Sequence, residues 1–262
     1  MKLTIYQVDA FTDRLFSGNP AAVCPLADEW PADSLLQNIA KENNLSETAF
    51  YVRRGDGYHI RWFTPTVEVD LCGHATLAAA WVLFNSEGHA SDAVRFESKS
   101  GPLGVAKGDG GYLAMDFPTD EIKRIDVTES IVSCFDRRPV EAYRGKTDYL
   151  LIFGGEDDIL NMSFDLAKIA ALEARGVIVS ARGTDCDFVS RFFAPRSGID
   201  EDPVTGSAHT TLTPYWSGVL KKDELAAVQL SARRGSILCR NRGARTEVSG
   251  RAALYMRGEL YV

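Results

Sequence analysis

The chain has 262 residues, 45% of them hydrophobic and 25% charged, enough for one large domain or two of ordinary size with packed cores. Its formal net charge of −7 argues against nucleic acid or an anionic membrane as partner, and no apolar run approaches the length that spans a bilayer. The five cysteines are scattered and never form a CxxC pair, and no basic lead with an apolar core suggests a signal peptide, so reduced thiols in a cytoplasmic protein are expected.

Lys2–Ala10 alternates like a strand, and Asn19-Pro20 marks a turn before a short apolar strand at Ala21–Pro25. Pro31 with Asp33 or Ser34 signals a helix start, with Leu35, Leu36, Ile39 and Ala40 as its buried stripe and Asn43-Asn44 as its end. Thr48, Phe50 and Val52 alternate with Glu47, Ala49 and Tyr51, predicting a strand with Glu47 at its first turn. His59–Thr64 is a strand stopped by Pro65. Ala75–Phe84 is apolar around its whole circumference, which predicts a helix buried on all sides, running through the middle of a sheet or barrel.

Strands are predicted at Ala93–Glu97, Leu103–Lys107 and Tyr112–Phe117, with Gly108 to Gly111 supplying positive-φ residues for a hairpin turn. The charged stretch Pro118–Ile125 is the candidate linker between halves 1–117 and 118–262, the last strand near 252–262 being a candidate to pack back on the first half. In the second half, strands are predicted at Tyr149–Phe153, Val177–Ser180 and Phe188–Ala194, with a helix at Phe164–Ala174 ended by Gly176. A further helix follows Gly206, which Pro214 would kink or shorten, and strands at Val228–Ala232, Ser236–Arg240 and Ala252–Val262 close the chain. The class is α+β, with sheets mostly antiparallel.

Residues 61–70 and 191–200 repeat one pattern: Arg61/Arg191, Phe63/Phe193, Pro65/Pro195 and Asp70/Asp200 match at a constant offset. Both copies then reach a Gly-polar-Ala step, Gly73-His74-Ala75 and Gly206-Ser207-Ala208, once three residues are inserted in the second. This reads as one ancestral unit used twice, with chance similarity as the alternative. Two copies of this period point to two similar domains facing a shared cleft, since a solenoid needs three or more short repeats.

Three ordered motifs stand out: Asn44-Leu-Ser-Glu-Thr-Ala-Phe50, Asp70-Leu-Cys-Gly-His-Ala-Thr76 and Asp200-Glu-Asp-Pro-Val-Thr-Gly-Ser-Ala208. With Gly18-Asn19-Pro20-Ala21-Ala22-Val23 they resemble the signatures of the PhzF-like, phenazine-biosynthesis isomerase family, whose relatives include diaminopimelate epimerase and proline racemase. The resemblance runs along nearly the whole chain. It implies two pseudo-symmetric halves, each a curled β-sheet around a central buried helix, with the active site between them. It also implies cofactor-free proton transfer in a homodimer.

Read as chemistry, each repeat sets a glycine turn at the start of an apolar helix, where unpaired backbone N–H groups and the positive dipole end attract an anion. Gly73, Gly206 and Ser207 are thus the candidates for binding a substrate carboxylate. Moving a proton at carbon needs a group that titrates near neutrality. Glu47 matches the family's acid/base glutamate, the alternative being a polar turn before a strand. His74 either caps the helix or binds a polar substrate group and helps pass the proton. Asp202 matches the family's second-half residue that holds a substrate hydroxyl or amine, the alternative for Asp200 to Asp202 being a solvated acidic turn.

Cys72 falls where racemase relatives carry one of two opposed cysteines, but Pro203 or Asp202 occupies the second place. It is either a packing residue or a reactive thiol. No metal is expected, since histidines 59, 74, 89 and 209 lack zinc spacing and the acidic run lacks calcium-loop spacing. No dinucleotide or phosphate-loop fingerprint and no nucleophile elbow is present. The main expectation is a cofactor-independent isomerase that moves a proton between carbons of a small carboxylate-bearing substrate. An amino-acid epimerase using Cys72 with an unlike second base is the first alternative, and a non-catalytic small-molecule binder on the same fold the second.

Overall fold

A computed structural model of the protein describes residues 1–27 and 29–262 and divides them into two compact units, Met1–Asp116 with Ser249–Val262, and Phe117–Val248.

The first unit is built from β1 (Lys2–Ala10), β2 (Asn19–Leu26), α1 (Asp33–Asn43), β3 (Glu47–Arg54), β4 (Gly57–Phe63), β5 (Glu68–Val69), α2 (Gly73–Asn85), β6 (Ala93–Ser98), β7 (Gly101–Lys107) and β8 (Leu113–Pro118). The C-terminal strand Ala252–Tyr261 pairs antiparallel with β1, which pairs antiparallel with β2. Two neighbour pairs are parallel, β2 with β3 and β4 with β6. Parallel neighbours need a long crossover, and α1 and α2 are those crossovers. They cover opposite faces of β3: Phe50 and Val52 pack with Leu36, Ile39 and Ala40 of α1, while α2 packs on β1, β2 and β3. The predicted half-buried alternation in β3 therefore becomes burial of all six residues from Glu47 to Val52, because both faces are covered.

Helix α2 buries every residue from His74 to Ala80, and Val82 and Leu83 as well, which is what an all-apolar circumference demands. Burying Leu77, Val82 and Leu83 stabilises the unit by about 1.5–3 kcal/mol each. Helix α1 ends at Asn44, whose left-handed φ of 51° lets its N–H bond to Ala40 O.

The second unit follows the same programme: β9 (Lys123–Ile125), α3 (Glu129–Val132), β10 (Glu141–Arg144), β11 (Asp148–Ile152), α4 (Glu156–Asn161), α5 (Leu166–Ala171), β12 (Gly176–Arg182), β13 (Phe188–Phe193), α6 (His209–Leu220), β14 (Glu224–Gln229), β15 (Gly235–Asn241) and β16 (Arg245–Gly250). Its parallel pairs are β11 with β12 and β13 with β14, crossed by α4–α5 and by α6 respectively. The two units thus share one order of antiparallel and parallel pairings, and the C-terminal strand, β17, plays beside β1 the part β9 plays beside β10.

The structure departs from the sequence reading in places. Lys123–Ile125, within the candidate linker, is a strand paired with β10. The helix expected at Phe164–Ala174 is only Leu166–Ala171: the Asp165 side chain caps the amides of Ala167 and Lys168, and Leu172 at ψ 142° ends it. Helix α6 runs through Pro214. Proline cannot donate to the carbonyl four residues back, and the Asp120 amide fills that place by bonding to Thr210 O at 3.2 Å.

Candidate functional site

The pairing register brings the N-terminal candidates together within the first unit. Glu47 opens β3 opposite Ala21 of β2, two residues beyond Asn19. It shares a face with Ala49 and Tyr51, opposite the face that Phe50 and Val52 turn to α1. Cys72 is the N-cap of α2 and His74 lies in its first turn. Glu47, Cys72 and His74 are all buried, at 7%, 6% and 4% exposure.

His74 Nε2 lies 3.2 Å from Glu47 Oε2. The two atoms are close but not aligned, so neither makes a hydrogen bond, although both are sealed from solvent. On the other side of the ring, His74 Nδ1 is 3.2 Å from Asn19 Nδ2 and 3.5 Å from Cys72 Sγ. Burial opposes charge on the imidazole, yet the Cys72 sulfur and the Glu47 carboxylate together raise the His74 pKa well above its ordinary value. Burial first, and the Glu47 carboxylate second, push the Cys72 thiol up to about 11, only partly offset by His74 and the Ala75 amide.

Asn19 is held by its neighbour. Gly18 sits at φ 67°, and a Cβ there would collide with the Ala10 carbonyl oxygen, so only glycine lets β2 begin here. The sequence motif contained Asn19 without giving it a role. The pairing of β1 with β2, which sets Asn19 opposite Ala10, is what brings it to the histidine.

In the second unit, Asp202, Gly206 and Ser207 lie on the loop that leads into α6. Asp202 is buried and accepts a hydrogen bond from Thr205 Oγ1 at 2.5 Å. Gln229, fully buried on β14, pins this loop: its Nε2 donates to Asp202 O at 2.7 Å and its Oε1 accepts from the Thr205 amide at 2.9 Å. The α6 helix starts at His209, three residues after Gly206. His209 N bonds to Gly206 O and Thr210 N to Ser207 O, a tighter turn feeding the helix. Ser207 Oγ accepts a 3.3 Å hydrogen bond from Arg175 Nη2, and Arg175 is itself clamped by both oxygens of Asp148. No motif marked Arg175 or Gln229. Their contacts come from tertiary pairing of β11, β12 and β14.

The repeated arginines turn out to be structural. Arg61 grips both oxygens of Glu68 at 2.8 and 2.9 Å, and Arg191 grips both oxygens of Glu201 at 2.7 and 2.9 Å. Each guanidinium lies about as close to two rings: Arg61 to Trp30 and Phe63, Arg191 to Phe164 and Phe193, all at 5.1 Å. The Arg61 hydrogen bonds lower Glu68 to about 2 despite partial burial. Matching Glu68 with Glu201 moves the three-residue insertion ahead of residue 201. Asp200 then belongs to the inserted turn, and Cys72 corresponds to Thr205, Gly73 to Gly206 and His74 to Ser207.

The family model described as phenazine biosynthesis-like protein matches residues 8–258. A relative in Pseudomonas aeruginosa, named an uncharacterized isomerase, is 51% identical over 262 residues and covers 100% of both chains. The crystal structure of a PhzF-family phenazine biosynthesis protein from Enterococcus faecalis superposes with a TM-score of 0.97 at 44% identity, again over 100% of both chains. A structure titled a predicted epimerase from Pseudomonas aeruginosa matches with a TM-score of 0.75 at 19% identity over 99% of each chain, a likeness of fold alone. The α+β class expected from the sequence agrees with these neighbours. Among the described residues no helix is long and apolar enough to cross a membrane.

Proposed function

The chain is an isomerase of the phenazine biosynthesis-like family, and from that premise we propose that it moves a proton between carbons of a small carboxylate-bearing substrate, with Glu47 as general acid and base. The supporting observation is the unaligned pair Glu47 Oε2 and His74 Nε2, both buried and 3.2 Å apart. A buried polar atom without a hydrogen bond costs about 1–3 kcal/mol. A pair serving stability alone would align, as Arg61 with Glu68 and Arg191 with Glu201 do.

In this reading the Glu47 carboxylate takes a proton from one substrate carbon, and the resulting carboxylic acid returns it to another carbon as the double bonds shift. Atoms and electrons balance with no oxidant and no cofactor. His74 steadies the carboxylate and passes or holds charge at its Nε2. The amides at the start of α2, at Gly73, bind the substrate carboxylate.

The Cys72 epimerase reading fares less well. Burial first, and the Glu47 carboxylate second, raise the thiol's pKa to about 11 and so oppose its ionisation, and its counterpart in the second unit is Thr205, which is no base. Glu47→Gln keeps size and polarity and removes the titrating group, so turnover should fall by about 10²–10⁴ while the melting temperature stays near wild type. Turnover of Glu47→Gln within a few-fold of wild type would remove Glu47 from the mechanism.

A further inference from the structure

We propose that Glu47, Cys72 and His74 form a site for a thiophilic divalent cation of the zinc class, whose binding inhibits the enzyme. One carboxylate oxygen, one sulfur and one imidazole nitrogen all lie within 4.8 Å of one another. A zinc tetrahedron with ordinary bond lengths has ligand–ligand edges of roughly 3.3–3.6 Å. The Glu47 Oε2 to His74 Nε2 separation of 3.2 Å is close to such an edge, and the Cys72 sulfur, 3.5 Å from the other ring nitrogen, swings toward Nε2 to complete the set.

Three further observations favour an ion. All three side chains are at least nine-tenths buried, on rigid strand and helix ends. Glu47 Oε2 and His74 Nε2 are without hydrogen-bond partners and face each other. A carboxylate and a thiolate also neutralise a dication, so a buried ion leaves no net charge. On binding, the Cys72 thiol proton and the Nε2 proton of the His74 imidazolium pass to solvent, and the sulfur coordinates as thiolate. The sulfur selects zinc, cadmium or cobalt over magnesium and calcium.

Three protein ligands leave one coordination position open. The ion would nonetheless occupy the Glu47 and His74 atoms that proton transfer needs, so loading with metal and turnover exclude each other. Sequence spacing hid the site, because Glu47 opens a strand 25 residues before Cys72, which caps a helix.

Cobalt(II) tests this without requiring turnover, so failure of the proton-transfer reading leaves the test intact. Metal-stripped wild-type protein is titrated with cobalt(II) and followed by absorption. The expected result is one equivalent bound, with a near-ultraviolet sulfur-to-cobalt charge-transfer band and the intense visible bands of a four-coordinate ion. Zinc should displace it and a hundredfold excess of magnesium should not. Cys72→Ser should lose the charge-transfer band, His74→Gln should bind at least about tenfold more weakly, and Cys239→Ser should behave as wild type. Absence of the charge-transfer band in wild type overturns the proposal, and so does an unchanged band in Cys72→Ser or a wild-type cobalt affinity in His74→Gln, whichever folds.

Discussion

His209 shows how a single buried group contributes to the pH response of the fold. Its ring is fully buried, its Nδ1 lies 2.8 Å from Thr205 O, and its Nε2 has no hydrogen-bond partner. Burial lowers its pKa to about 4, against 6.5 for an exposed imidazole. The unfolded chain therefore binds a proton between these values while the folded chain does not. Stability contributed by His209 is fully present above pH 6.5 and is lost as pH falls from 6.5 toward 4, by up to roughly 3 kcal/mol. Urea denaturation between pH 4 and 7 should show this slope in wild type and a shallower one in His209→Gln; equal slopes would contradict the assignment. At this scale the sequence was partly legible. The motif that carries Glu47 and the one that carries His74 were visible, but their contact depends on the parallel register of β2 and β3, and the Arg175 to Ser207 bond has no local signature at all.

Among elements, α2 is the one whose sequence says most. Because no side of it is polar, no side tolerates charge: Ala78→Asp and Ala80→Asp, on different faces, should each cost more than about 3 kcal/mol in chemical denaturation. An amphipathic helix would spare one of the two, and that outcome would refute burial all round. Other elements were read less well, for local reasons. The stretch Phe164–Ala174 has helical composition, but Asp165 starts the helix late and Leu172 leaves it early. Pro214 signals a break, and only the distant Asp120 amide lets α6 continue. Propensity alone contains neither event, since both are settled by tertiary partners.

At the scale of the whole molecule, the repeat seen as Arg–aromatic–Phe reappears as two units with one order of strand pairing. What the sequence could not show was which matches matter. Arg61 and Arg191, each beside two aromatic rings, hold the duplicated carboxylates of Glu68 and Glu201 and maintain the frame. The copies differ at Cys72-Gly73-His74 against Thr205-Gly206-Ser207, and at Glu47, whose counterpart by the repeat offset is Val177. An account that places proton transfer on Glu47 is tested most directly by solvent exchange. Carboxylate-bearing compounds with an acidic C–H are incubated in D2O with wild type and with Glu47→Gln, and carbon-bound deuterium is read by NMR. Wild type should place deuterium on carbon in at least one compound, and Glu47→Gln should place none in the same time. Exchange by Glu47→Gln at the wild-type rate would contradict the account.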